Sequence, residues 1–478
     1  MMRILIKNIL NKTGEEVSLK GWVNGRRDHG KIIFIDLRDL SGVIQLVFTP
    51  ACKDYSLAEK LRLEWVIGVK GKVILRPQSM INENIDTGKI EVSVEELEVI
   101  TEAQTLPFVL DTDGREIGED LRLKYRYLDL RRKRMSDNLR NRCQIIKYMR
   151  DFLTERGFTE IETPMLTKST PEGARDYLVP SRIHCGKFYS LPQSPQQYKQ
   201  LLMVAGLERY FQIARCLRDE DPRGDRQPEF TQLDIEMSFV EENDILDLVE
   251  ELHIALVKKL YPGKEIKLDE NNRIPRMSYQ EVMKKYNTDK PDIRKNKNNS
   301  DELAFLYVVD FPMFEWKEGD KRWGANHHPF TQPKVKDEHD FKRLFEENPS
   351  QILAKQYDFV LNGYEIGGGS IRTHNPYLLK SIFEVLGNNP ADIESKFGHM
   401  FEAFKYGVPP HGGIACGIDR IAMILQNEPS IREVIAFPKT GDGRDLMMDS
   451  PSDVDEKQLK ELGISIVKKI KTINKNNK

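Results

Sequence analysis

Cysteine is scarce: Cys52, Cys143, Cys185, Cys216 and Cys416 are five in number, widely scattered, and form no CxxC pair. That excludes a zinc knuckle and a disulfide framework. No run approaches the roughly 18 apolar residues of a membrane span. The opening Met1–Lys7 has too short an apolar core for a signal peptide, so a cytoplasmic protein is expected. With 24 prolines and 9% aromatics, a largely disordered chain is not expected. A formal charge of −2 removes global basicity as a means of holding nucleic acid. Charge is unevenly spread, however. Arg115–Lys147 has 11 Lys/Arg against 5 Asp/Glu, and the tail Lys457–Lys478 has 7 lysines against Glu461.

What is present is a chain of 478 residues with 39% apolar and 31% charged residues, enough for a sizeable core. At roughly 150 residues per domain this suggests about three units, or one large domain with a smaller partner. Residues 17–23, 32–37, 43–48, 65–75 and 90–94 read as short β-branched strands, with a helical run near Tyr55–Glu64. Five strands with one helix between the third and fourth suit an OB-type barrel over 1–104, although a generic small barrel fits the same pattern. Residues 105–135 read as a polar connector or hinge. Ser136 or Asp137 can cap a helix bearing Leu139, Cys143, Ile146 and Leu153 at helical spacing, with Gly157 beyond it. From there to about 450, strands and helices mix without βαβ alternation, which predicts an α+β domain on a largely antiparallel sheet flanked by helices. Residues 290–303 form a polar bridge, and 451–478 a C-terminal extension with its lysine-rich tail.

Several clusters carry chemistry. Gly25–Lys31 has the glycine and lysine spacing of a phosphate-binding loop, but it lacks the following Ser/Thr and leads into a strand, so no helix N-terminus is available. The same stretch reads better as RNA-facing: Arg26, Arg27 and His29 can meet phosphates or bases, with Phe34 and Gln45 as a stacking face and an amide. Arg218–Glu236 is dense in arginine and carboxylate and contains Phe230, a set able to grip a polyanion and stack on a purine. Glu365 and Arg372 bracket three glycines, and Asp358 lies seven residues before Glu365. Such oxygens suit magnesium bridging nucleotide phosphates. Gly417-Ile-Asp-Arg420 reads as a strand, a tight turn and a helix start. His327 and His328 point apart on any strand, which favours substrate contact or packing over zinc.

Together these segments resemble the class II aminoacyl-tRNA synthetases, and within them the bacterial-type aspartyl-tRNA synthetases, from about Gly21 to Gly463. Gly157–Pro164 is similar to the first class II motif, Arg218–Glu236 to the second and Gly417–Leu425 to the third. Thr170–Tyr177, Gln193–Lys199 and Ala325–Thr331 carry the aspartyl wording.

The resemblance implies ATP-dependent formation of aspartyl-adenylate, then transfer of the aspartyl group to the 3′ end of tRNA. ATP is the substrate and Mg2+ the expected ion. It implies that Arg218, Glu220 and Arg420 are catalytic, with Arg218 on the α-phosphate and Arg420 on the far end of a bent triphosphate. Asp219, Glu220, Gln227, Phe230, Glu365, Gly417, Ile418, Asp419 and Arg420 would join Arg218 around ATP. Asp358 and Glu365 would hold the metal. Glu172, Gln196, Lys199, Arg218, Asp234, His327 and Arg372 would bind L-aspartate. Arg27, Phe34 and Gln45 would read the anticodon. His29 and Ser79 look like the relaxed type that charges both tRNA-Asp and tRNA-Asn; a strict tRNA-Asp enzyme is the alternative. A homodimer built partly around Pro164 is implied, and neither a membrane nor DNA as partner. The chain departs from this family in one respect: the domain usually inserted between the second and third motifs is reduced to the bridge at 290–303. Asparaginyl- and lysyl-tRNA synthetases share the layout but lack the paired Pro171–Asp176 and Gln196–Lys199 wording. Aspartate–ammonia ligase lacks the barrel, and an inactive RNA-binding paralogue would have lost Arg218, Glu220, Glu365 or Arg420.

Overall fold

The computed structural model describes residues 2–169, 174–319 and 321–467. They form two compact units that divide between Val109 and Leu110.

In the first unit, strands Glu16–His29, Ile32–Asp39, Gly42–Phe48, Ile90–Thr101 and Val66–Leu75 close into a barrel in that spatial order. Alternation makes the inside: Ile33, Ile35 and Leu37 are buried with Ile44, Leu46 and Val92, while Phe34 and Asp36 face outward. The expected phosphate-loop mimic is indeed a hairpin, with Gly30 at φ 61° between two paired strands. The helix expected over Tyr55–Glu64 is shorter, spanning Tyr55–Ala58. The Arg26 guanidinium takes the carbonyls of Glu59 (2.7 Å) and Leu61 (2.8 Å), drawing them out of helical pairing.

The second unit is built on a nine-stranded sheet. Its centre runs Glu302–Val309, Gln356–Leu361, Tyr364–Ile371, His411–Gly417, Glu229–Ser238 and Arg209–Leu217, all antiparallel. Short parallel strands, Glu265–Lys267, Arg276–Ser278 and Thr159–Glu160, finish the edges. Helices Lys133–Glu155, Glu242–Leu260 and Ile418–Leu425 cover one face, burying Leu233, Ile235, Ile414 and Phe359. Period-two alternation sends Asp234 and Glu236 to the opposite face.

The helix expected to start at a Ser136 or Asp137 cap begins earlier, at Lys133. Buried Arg132 fixes the chain there by donating to Asp129 (2.9 Å) and to the Thr112 carbonyl (2.9 Å). Its buried face is also rotated from the expected stripe. Met135, Asn138, Ile145, Met149, Phe152 and Leu153 are inside, whereas Cys143 is exposed and Leu139 and Ile146 half-buried. The cause is polar: Arg134 and Asn138 turn inward to Glu428, each at 2.7 Å. The bridge before Glu302 has no helix or strand, and Glu302 accepts from the backbone of Lys295 at 2.9 Å. The C-terminal extension contains the helix Glu456–Leu462, and the lysines from 468 onward lie outside the described residues. Among the described residues no helix is long and apolar enough to cross a membrane.

Candidate active site

The opposite face of the large sheet carries a buried ionic floor. Helix Gln196–Val204 lays Gln196, Lys199 and Gln200 against it at i, i+3 and i+4. Lys199 Nζ donates to Asp234 Oδ1 at 2.7 Å and lies 3.3 Å from Glu236 Oε2. Arg372 grips Glu236 with two nitrogens, at 2.9 and 3.0 Å, and donates a third bond to Ser370 Oγ at 2.6 Å. The glycine at 413 is required, because a Cβ there would collide with the Glu236 carboxylate. Among the described residues, Asp234 Oδ2, Gln196 Nε2 and His328 Nε2 are buried without a partner. An orphaned acceptor, an orphaned amide donor and an orphaned ring nitrogen beside two buried cations make a site for a zwitterion with an extra carboxylate.

The electrostatics separate the two acids. Burial would raise Glu236, but Arg372 and Lys199 override it and hold it at about 2. Burial wins at Asp234, which is raised despite Lys199. The two cations therefore face one firmly ionised acid and one whose ionisation burial opposes.

Beside this floor lies the loop joining Arg209–Leu217 to Glu229–Ser238. Arg218 stands half-buried with its guanidinium 5.1 Å from the Phe230 ring centre. Glu220 faces Arg226 at 3.5 Å, and Asp219 faces Arg175 at 3.7 Å. Arg420, at the start of Ile418–Leu425, takes the carboxylate of Asp225 at 3.2 Å and the carbonyl of Glu365 at 2.5 Å. Three expected ATP contacts are engaged otherwise. Gln227 is buried and its amide closes two bonds with the Lys439 backbone, at 2.7 and 3.1 Å. Asp419 accepts from Arg142 and, at 2.9 Å, from the Thr231 N–H. Ile418 is fully buried in the core beneath. A Cβ on Gly417 would meet the Ile366 carbonyl at 3.8 Å, an ordinary contact.

Asp358 and Glu365 come together as expected across neighbouring strands. A Cβ on Gly368 would sit 3.1 Å from Asp358 Oδ1 and 3.7 Å from Glu365 Oε1. Burial and then the Glu365 charge push Asp358 well above the carboxylate range. A cation between them would relieve that conflict, and two carboxylates with phosphate oxygens and water suit magnesium. No group of three or more metal-ligating side chains occurs among the described residues.

The adjacent histidines do separate. His327 is exposed, edge-on to Phe311 at 4.7 Å, with Glu365 as its strongest charged neighbour. His328 is the one facing the ionic floor: burial first, then Arg372 and Lys199, push its pKa well below the usual range. The sequence reading chose His327 and gave no role to Glu236, whose position two residues after Asp234 on one strand was the available signal. Glu172 lies outside the described residues.

On the barrel, Arg27 donates to Asp36 at 2.9 Å and to Gln45 at 3.1 Å, and Gln45 donates to Glu91 at 2.7 Å. Phe34 pairs directly with Arg27. These side chains share one outward face, and Glu91 joins a set that the sequence had shown without it. His29 at the hairpin and Ser79 in the turn Gln78–Met80 are both exposed.

Residues 118–441 match the family of class II tRNA synthetases (D, K and N), and residues 17–100 match the OB-fold nucleic acid binding domain. Among curated relatives, the aspartate–tRNA(Asp/Asn) ligase of Syntrophomonas wolfei is 43% identical over 585 aligned positions, covering 96% of this chain and 98% of that one. The ligase of the same name from Dictyoglomus turgidum is 42% identical, covering 95% and 96%. Both alignments are longer than this entire chain, so the relatives carry residues that this chain lacks. Among solved structures, the asparaginyl-tRNA synthetase of Pyrococcus horikoshii, complexed with asparaginyl-adenylate, superposes with a TM-score of 0.72 at 23% identity, covering 92% and 98%. The aspartyl-tRNA synthetase of Entamoeba histolytica gives 0.70 at 21% identity, covering 92% and 91%.

Proposed function

The chain belongs to the class II tRNA synthetases of the D, K and N group, and we propose on that premise that it ligates L-aspartate to both tRNA-Asp and tRNA-Asn. The observation that carries the amino-acid choice is the buried pair Lys199 and Arg372 around Glu236. The aspartate side-chain carboxylate meets both cations, its ammonium meets Asp234 Oδ2, and Gln196 Nε2 donates to its remaining oxygens. A neutral asparagine amide brings these two cations no negative charge beyond Glu236 and Asp234, whose ionisation burial opposes, a penalty larger than the ~1–3 kcal/mol of a methylene difference.

With aspartate held there, its α-carboxylate faces the α-phosphate placed by Arg218 and Phe230. Attack at phosphorus forms the mixed anhydride and releases pyrophosphate. The Arg218 guanidinium, stacked against Phe230, neutralises charge developing on the phosphoryl oxygens. Glu220 orients Arg226, and Arg420 receives the far phosphates. Asp358 and Glu365 would hold Mg2+, which supplies phosphate neutralisation when bound. The 3′ ribose hydroxyl of tRNA then takes the aspartyl group and AMP leaves. The domain missing between the second and third motifs is replaced by the bridge at 290–303, which passes beside the turn leading to Glu365: a Cβ on Gly363 would sit 3.3 Å from Asp292.

The relaxed choice of tRNA rests on exposed His29 and Ser79 and on the names of the relatives. The two tRNAs differ at the last anticodon base, so selectivity depends on how tightly this region grips one pyrimidine. Charging both transcripts with [14C]aspartate tests the reading. Wild type should charge both, and His29→Leu should lose tRNA-Asn preferentially. Exchange of pyrophosphate into ATP driven by asparagine or lysine rather than aspartate would overturn the amino-acid assignment.

A further inference from the structure

The loop that carries Arg218 doubles back at its tip, where Arg223 and Arg226 exchange two backbone bonds at 3.0 and 3.2 Å. Three successive carbonyls of this tip are each held from outside the loop. Arg223 O accepts from Arg432 at 3.3 Å. Gly224 O accepts from Ser430 Oγ at 2.9 Å and from the Ile431 N–H at 3.0 Å. Asp225 O accepts from Arg420 Nε at 3.2 Å.

The first two carbonyls are held by one short 3-10 turn, Ile431–Glu433, capped by Ser430. That turn is itself fixed to the helix Glu119–Lys124 by two ion pairs of opposite sense. Arg432 Nε donates to Glu119 at 2.6 Å, and Arg122 presents two nitrogens to Glu433 at 2.6 and 3.1 Å. Arg134 adds a further bond to Glu433 at 2.8 Å. Glu433 is held at about 2: burial opposes ionisation, and Arg122 and Arg134 outweigh it.

We propose that Arg432 is a positioning residue for the ATP-binding loop, acting with Ser430 and Glu119 as a strut that sets the loop tip before ATP arrives. This rests on the function proposed above and adds a residue set to it. The argument turns on Arg420. Its guanidinium now holds both the carbonyl and the carboxylate of Asp225. It cannot keep both and also bind the end of a triphosphate. When Arg420 turns to ATP, the Ser430–Arg432 attachment is what still holds the Arg223 and Gly224 carbonyls from outside the loop. The strut grips backbone carbonyls, so it fixes the loop's path whatever its side chains are doing, and Arg218 and Phe230 are placed by that path. A misplacement of about 1 Å in such a group costs on the order of a hundredfold in rate.

Two measurements test this. In aspartate-driven pyrophosphate exchange, Arg432→Ala should raise the KM for ATP roughly tenfold and lower kcat, with the KM for aspartate within about twofold of wild type. Arg432→Lys should recover part of the loss, and Glu119→Ala combined with Arg432→Ala should be no worse than Arg432→Ala alone. Independently of activity, trypsin should cut after Arg223 or Arg226 faster in Arg432→Ala, and ATP should protect it less. Should Arg432→Ala fail to fold, Ser430→Ala removes a single hydroxyl and should give the same ATP-specific change at smaller size. An unchanged KM for ATP, an equal rise for both substrates, or unchanged trypsin cleavage overturns the strut. A wild-type protein without aspartate-driven exchange defeats the proposed function instead, and the trypsin comparison then decides the strut alone.

Discussion

Arg372 and Glu236 form a two-pronged pair on the sheet floor, Nε to Oε1 at 2.9 Å and NH2 to Oε2 at 3.0 Å, with both side chains shut off from water. Because Glu236 also faces Lys199, one acid orients both cations that are to receive the substrate. Glu236→Gln keeps the shape and deletes the charge. Removing one partner of a buried pair costs about 3–5 kcal/mol. The variant should lose stability of that order in urea titrations, and its KM for aspartate should rise more than its KM for ATP. Wild-type stability in Glu236→Gln would refute the orienting role.

Arg218 contrasts with this. Its side chain contacts the Phe230 ring and has no other described partner. Such a contact is worth about 0.5–2 kcal/mol. Arg218→Ala should therefore unfold nearly as wild type and still bind tRNA in filter assays. Adenylate formation should fall by roughly a thousandfold. Normal exchange in that variant would sink the assignment.

Gln227 is a clamp on the Lys439 backbone, with both amide atoms engaged. Gln227→Ala leaves the half-buried N–H and carbonyl of Lys439 without these partners, a cost of about 1 kcal/mol. Thermal melting should register that loss in the absence of ATP. A variant of full stability with only a raised KM for ATP would return Gln227 to the ATP-contact role that the family resemblance implies.

His253 sits in the core edge-on to the stacked rings of Phe305 and Phe359, and burial lowers its pKa to about 4. The unfolded chain, with an ordinary histidine near 6.5, binds the proton first as pH falls. Stability supplied by the neutral ring is thus present above 6.5 and drains away between 6.5 and 4, by about 3 kcal/mol. Glu236 and Glu433, each held at about 2, lose their contributions lower, between 4.5 and 2. His253→Phe should flatten the urea midpoint against pH only in the upper window. An unaltered slope there would show that His253 does not govern it.

The rotated helix Lys133–Glu155 leaves Cys143 exposed and Leu139 half-buried on its outer side, while half-buried Ile146 packs against the core. With the segment ending in Pro164, that side is the expected dimer contact. Sedimentation equilibrium at micromolar concentration should give two chains, and Cys143→Glu should shift the population to monomer. A fully active wild-type monomer would contradict this.

Strand alternation was legible in the sequence because it is local: β-branched runs closed by glycine and aspartate define the barrel, and Phe230, Asp234 and Glu236 share a face by counting in twos. The charged chemistry of Arg218–Glu236 and the glycine-flanked Glu365 and Arg372 were legible for the same reason, since each is a compact stretch of distinctive residue types. The helix start at Lys133 was not, because Arg132 and Arg134 are drawn inward by Asp129 and Glu428, and Glu428 is hundreds of residues away.

The pairing of opposite charges across the fold was decided by tertiary structure alone. Nothing in the order of residues says that Gln227 meets Lys439, that Asp419 is taken by Arg142, or that His328 rather than His327 faces Lys199 and Arg372. Residue type and spacing determine what a segment is able to hold. Which partner it holds depends on strands brought side by side from distant parts of the chain, where burial makes one ion pair or hydrogen bond obligatory and leaves another group free for substrate.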